Sequence, residues 1–141
     1  MALPVPQLGL VIHFNDLWKR EEQQGSDNAR YPRPAVIVLA FTRGEDGAQV
    51  VVVAPVTHAP PRPGTDAIEM PAQVKRKLSL DGERSWVVVD EVNMFVWPGF
   101  DLQANKAGEI ADGLVPSRFY EQIRQRVLAN AQSGRLGRTH R

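Results

Sequence analysis

Hydrophobic residues in this chain gather into short, dense runs separated by polar, glycine- and proline-rich stretches. Residues 9–14, "GLVIHF", predict a first strand. "NDLWKREEQQGSDNAR" follows without an apolar face and predicts a surface loop. After Pro34, "AVIVLAF" has the length and β-branched density of a buried strand. "TRGEDGAQ" carries the turn signal Asp46-Gly47, and "VVVVAPV" completes a hairpin. The stretch "HAPPRPGTDA" predicts a loop leaving a central strand, a common position for functional loops. "AIEM" reads as a short strand. "PAQVKRKLSL" reads as a short helix with Val74 and Leu78 on one face. "SWVVVDEVNMFVW" is extended, two strands joined by a bend near Asn93, and "PGFDLQANKAGEIADG" returns to loop character. In "VPSRFYEQIRQRVLANAQ", Pro116 suits a first helical turn, and Phe119, Ile123, Val127 and Leu128 recur at amphipathic spacing.

The predicted order is five or more short strands, a central hairpin, one short helix and a carboxyl-terminal helix. No strand-helix-strand alternation appears, so a small, strongly bent antiparallel sheet or barrel of the mainly β (α+β) class is favoured over a layered α/β fold. Residues 1–132 are expected to form one domain, and 133–141, "SGRLGRTHR", a frayed, flexible basic tail.

Composition narrows the function classes. With 141 residues the chain is one domain by length, and 43% hydrophobic and 23% charged residues are ordinary for a globular protein. Seventeen basic and sixteen acidic residues give a net charge of +1, so any contact with a polyanion has to come from a local patch. Absence of cysteine excludes disulfides, thiolate metal sites and cysteine nucleophiles. The amino terminus lacks the basic segment of a signal peptide, and the longest apolar run is far below the ~20 residues of a membrane helix. A cytoplasmic protein is expected. His13, His58 and His140 are scattered in sequence, and neither a phosphate-binding Gly-Lys loop nor a dinucleotide glycine fingerprint is present. No metal and no cofactor are expected.

What remains is Arg33 with Thr57. The strand Arg33 enters runs to about residue 42, and its partner runs back from about 49 to 57, so antiparallel pairing brings the two to one end of the sheet. A guanidinium fork beside a hydroxyl suits a phosphate. Taken singly, each feature has a plainer role open to it. Without a family context Arg33 reads as an ion-pair partner for Glu21 or Glu22, Thr57 as the end of a strand, His58 as a loop residue, Trp86 and Trp97 as core residues rather than stacking platforms, and "KRK" at 75–77 as a solvated helix face.

The blocks "G-x-V-I" at Gly9 to Ile12, "RPAVIV" at Arg33 to Val38 and "VVVAPVTH" at Val51 to His58 resemble, in order and spacing, those of the PemK/MazF family of toxins from toxin/antitoxin systems. They cover the first half of the chain. The leader, the long tail and "WPGFDL" depart from the family pattern. The resemblance implies an SH3-like barrel with a carboxyl-terminal helix, commonly a homodimer, that cuts single-stranded RNA without metal and is neutralised by a cognate antitoxin. It also implies that Arg33 and Thr57 are active-site residues. The chemistry then needs a base, an acid and a cation, because the RNA supplies its own 2′-hydroxyl as nucleophile. Arg33 is the expected cation and acid, Thr57 positions the phosphate, and His58 or Glu91 supplies the base. Lys75 and Arg76 are candidate phosphate contacts. Two alternatives stand beside this: a non-catalytic relative that acts by binding a protein, as the gyrase-poisoning toxins of the same fold do, for which the apolar "NMFVWPGF" speaks, and a regulatory barrel domain.

Overall fold

The computed structural model describes residues 5–14, 33–97, 102–103 and 111–140. Among these described residues, nine strands and two helices follow one another as β1 (Leu10–Phe14), β2 (Arg33–Thr42), β3 (Gln49–Thr57), β4 (Ala67–Glu69), α1 (Ala72–Lys77), β5 (Trp86–Val88), β6 (Glu91–Val96), β7 (Leu102–Gln103), β8 (Ala111–Leu114), α2 (Ser117–Gln132) and β9 (Gly137–His140). The protein is mainly β, with a short helix and a carboxyl-terminal helix, as the patterning predicts.

The β2–β3 hairpin is the centre of the sheet. Its register runs from Thr42↔Gln49 to Ala35↔Pro55, and its turn is locked by a two-point contact in which Arg43 donates from Nε and Nη2 to Asp46. Both strands are almost continuously apolar because both faces of the sheet are covered, the situation in which strict alternation disappears. On one face Val11, Val36, Val52, Ala54, Val56 and Val87 pack with Val74 of α1, Leu78 just after it, and Phe119 and Ile123 of α2. On the other, Leu10, Ile12, Ala35, Ile37, Val51, Val53 and Phe95 form a second cluster.

Beyond β2, β1 pairs antiparallel with β2 on one edge and with β7 and β8 on the other. Beyond β3, the chain from β5 to β6 lies alongside in two registers, Thr57↔Trp86 at one end and Val53↔Asn93 to Val50↔Val96 at the other. β4 adds to β5, and β9 adds to β6 in parallel. The strand path β4-β5-β3-β2-β1-β7 is open: among the described residues no pairing joins its two ends into the closed barrel that the resemblance implies.

Bulges interrupt two of the ladders. Val38 is the extra residue of β2 between the pairs Ile37↔Val53 and Leu39↔Val52. Asp112 is the extra residue of β8 between Gly113↔Val11 and Ala111↔Ile12. Each is used by another element. The Tyr120 hydroxyl of α2 donates to the Val38 carbonyl at 2.9 Å, and His13 Nε2 lies 2.5 Å from Asp112 Oδ2.

Several expectations change. The bend in the 85–97 segment falls at residues 89–90, where Val89 N donates to the Asp66 carbonyl and Asp66 N to Asp90 Oδ2, and Asn93 sits within β6. Part of the predicted loop after Trp97 is strand, since β7 and β8 both pair with β1. The tail is not frayed along 137–140, which form β9 and pair with β6. Leu128, placed on the apolar face of α2, is 46% exposed. The loop expected over 15–30, with Glu21, Glu22 and Arg30 in it, lies outside the described residues. No helix among the described residues is long and apolar enough to cross a membrane.

Candidate functional site

Sheet pairing decides which polar side chains share a face. Directly opposed residues of antiparallel strands project to the same side. The register Ala35↔Pro55, carried two residues on, sets Arg33 opposite Thr57. Thr57 is in turn opposite Trp86, and Trp86 opposite Glu69. One rung across β2, β3, β5 and β4 therefore reads Arg33, Thr57, Trp86, Glu69. Its neighbours Val56, Val87 and Ile68 belong to the helix-side core, so this rung faces the opposite side. The Val53↔Asn93 pairing brings Asn93 onto the same side, and Glu91, two residues earlier, follows it. Arg33, Thr57, Glu91 and Asn93 thus come to one end of one face from three neighbouring strands. Arg33 and Thr57 are half-buried; Glu91 and Asn93 are buried, at 8% and 1% exposure. Sequence patterning gives Asn93 no chemical role, since it sits at an inward position of an apolar strand.

Thr57 Oγ1 accepts a hydrogen bond from Ala59 N at 3.1 Å, fixing the hydroxyl as the chain leaves β3. The next residue, His58, points into a separate network. Its Nε2 lies 2.8 Å from Asp81 Oδ2 and its Nδ1 3.3 Å from Glu83 Oε2. With a carboxylate oxygen against each ring nitrogen, His58 has no lone pair directed at a substrate hydroxyl. Glu91, the other sequence-derived candidate for the base, lies on the face that Arg33 and Thr57 share.

Lys75 anchors this second network. It is 6% exposed, and its ammonium donates to Asp81 Oδ1 at 2.6 Å, to Ser85 Oγ at 2.8 Å and to the Glu83 carbonyl. Three donors meet three acceptors, so the buried charge is fully satisfied. That removes Lys75 from the phosphate contacts expected on sequence and from the solvated face expected of "KRK"; Arg76 and Lys77 remain exposed. Burial pushes the Asp81 carboxyl up, but hydrogen bonds from Lys75, the Glu83 amide and His58 together outweigh it and hold it below its ordinary value.

His58, Asp81 and Glu83 are also the one group among the described residues with ligand atoms close enough for a metal, within 4.8 Å of one another. All three are exposed, and a cation there would compete with Lys75 for Asp81.

A third polar group flanks the Arg33–Thr57 rung. Arg84 donates from Nε and Nη2 to the two carboxylate oxygens of Glu69, at 2.7 and 2.8 Å, and its guanidinium carbon sits 5.0 Å over the Trp86 ring. Trp86 itself is buried, at 8% exposure. Nothing in the spacing of "ERSW" shows that Glu69, fifteen residues earlier, completes this group.

Comparison of the chain with protein-family models, with curated proteins and with solved structures finds no match.

Proposed function

We propose that this protein is a toxin-type endoribonuclease that cuts single-stranded RNA without a metal ion. The observation that carries the reading is the shared register of Arg33 and Thr57 on one sheet face, with Glu91 on the same face one strand further on. A guanidinium, a hydroxyl and a carboxylate are the groups that RNA self-cleavage needs. Glu91 takes the proton of the ribose 2′-hydroxyl as its oxygen attacks phosphorus. Arg33 neutralises the charge gathering on the non-bridging oxygens, and Thr57 holds the phosphate in line. The bond from phosphorus to the 5′-oxygen breaks as that oxygen takes a proton from the Arg33 guanidinium, leaving a 2′,3′-cyclic phosphate and a 5′-hydroxyl; solvent then carries the proton gained by Glu91 back to Arg33. The resemblance to PemK/MazF toxins adds a homodimeric assembly and a cognate antitoxin as partners, acting in the cytoplasm.

The test is incubation of purified protein with a mixed-sequence single-stranded RNA in EDTA, beside Arg33→Ala. Cleavage by the wild type alone, with 5′-hydroxyl ends, is the expected result. An intact RNA with both proteins would sink the reading.

A second reading, a non-catalytic toxin-fold protein that binds a protein target, is favoured by one observation. Phe41 and Val96 are 41% and 37% exposed and share a rung through Val50, with Leu39 nearby at 50%. Growth arrest on induction with total RNA intact would favour it. The "NMFVWPGF" segment gives it less support than the apolar run suggests, since Phe95 is buried.

A further inference from the structure

Arg84, Trp86 and Glu69 form one ordered group beside the Arg33–Thr57 rung. Arg84 is 71% exposed on its side chain, and an exposed arginine ordinarily samples many rotamers. Here it is held twice, by a two-point carboxylate contact and by the indole beneath it. The guanidinium carbon sits over the Trp86 ring, while the side chain as a whole stays largely open to solvent. Its position is also specific. Trp86 is directly opposite Thr57 in the rung that begins with Arg33, so it stands two strand spacings, about 10 Å, from the β2 end of the proposed site.

From these facts we infer that Arg84, ordered by Trp86 and Glu69, is a stacking platform for a nucleobase of single-stranded RNA flanking the phosphate held at Arg33 and Thr57. The inference rests on the ribonuclease reading and adds to it a subsite on the far side of Thr57. Three features select a base over a phosphate. Glu69 already neutralises the guanidinium and would repel an anion. Arginine planes stack on bases, and a guanidinium already ordered loses little entropy on doing so. Trp86 is too buried to stack on a base directly, so its contribution passes through Arg84. Stacking of this kind tolerates any base, and the subsite therefore raises affinity rather than dictating sequence.

The experiment uses a fluorescein-labelled RNA made uncleavable by 2′-O-methyl groups, together with a series carrying one abasic residue at each successive position. Binding is read by anisotropy for the wild type, Arg84→Ala, Arg84→Lys and Arg33→Ala. In the wild type one abasic position weakens binding about tenfold. Arg84→Ala weakens the intact RNA by a similar factor and makes that abasic position silent. Arg84→Lys behaves as Arg84→Ala, because a lysine keeps the charge and loses the plane. Arg33→Ala keeps the abasic penalty. Unchanged binding by Arg84→Ala, restored binding by Arg84→Lys, or an abasic penalty that adds to the Arg84→Ala loss would each overturn the inference. If the wild type cuts RNA and the Arg84 variants bind it normally, only this inference fails. If the wild type neither binds nor cuts RNA, the ribonuclease reading fails with it. Arg84 is at the surface, and matching thermal unfolding of all variants excludes misfolding as the cause of any loss.

Discussion

Tyr120 of α2 reaches across the helix-sheet interface to the backbone of Val38, donating its hydroxyl to the carbonyl of the one residue that β2 inserts opposite β3. A bulge leaves its extra residue outside the ladder, and a half-buried carbonyl without a donor is destabilising. The tyrosine therefore both satisfies the bulge and sets where the helix docks.

Tyr120→Phe is accordingly expected to destabilise the protein by about 1 kcal/mol, and by up to about 3 if water does not reach the Val38 carbonyl. Urea unfolding measures it. An unchanged midpoint would show that the bulge does not depend on the hydroxyl.

Replacing Lys75 by methionine keeps most of the buried stem but strips donors from the Glu83 carbonyl, Ser85 and Asp81. A loss of about 1–3 kcal/mol is expected, read as a fall of several degrees in Tm. The same change is expected to leave the affinity for single-stranded RNA intact, because Lys75 is enclosed. An affinity loss at unchanged stability would return it to the phosphate contacts.

The hairpin turn carries a defined acid response. Hydrogen bonds from Arg43 and the Ala48 amide lower the Asp46 carboxyl from 3.8 to about 2. A depressed folded value means that the contribution is complete above about 3.8 and is lost as pH falls through about 2. Asp81 is lowered too, so its contribution disappears in the same direction. A carboxyl-detected NMR titration is expected to show Asp46 moving last among the exposed aspartates, and Asp46→Asn to flatten the acid limb of the stability curve. An Asp46 midpoint near 3.8 would contradict the turn geometry.

Arg33→Ala and Thr57→Val are expected to lower the cleavage rate by about a hundredfold or more for the arginine and less for the threonine. Thr57→Val loses the hydrogen bond from Ala59 N and is expected to cost about 1 kcal/mol of stability, and Arg33→Ala, at a half-buried position, a similar amount. Initial rates on a single-stranded RNA, with parallel melting curves, separate the two effects.

The identity of the base is settled by comparing Glu91→Gln with His58→Gln. The glutamate change is expected to reduce cleavage about a hundredfold or more, and the histidine change to cost no more than about tenfold, through loosening of the loop that follows Thr57. The reverse order in the rate assay would give the base role to His58.

The hairpin was legible because valine, isoleucine and alanine fill both faces of β2 and β3, and a strand buried on both sides has no other way to read. The helices were legible from Val74 and Leu78, and from Phe119 and Ile123. Leu128 was not separable from Val127 by spacing alone. β7, β8 and β9 were invisible, because "LQ", "ADGL" and "GRTH" have no strand composition; they are strands only through what β1 and β6 offer them. The same holds for the site. Arg33 and Thr57 could be matched by counting residues along a hairpin, whereas the partners of Lys75, Arg84 and His58 depend on where "SLDGERS" folds back.

The pairing of β1 with β8 has a consequence during synthesis. His13 and Asp112 are 99 residues apart, so the first strand emerges long before its second edge can be covered. At about 5–20 residues per second, that edge waits roughly 5–20 s on the ribosome, a window in which a bare strand is open to foreign pairing.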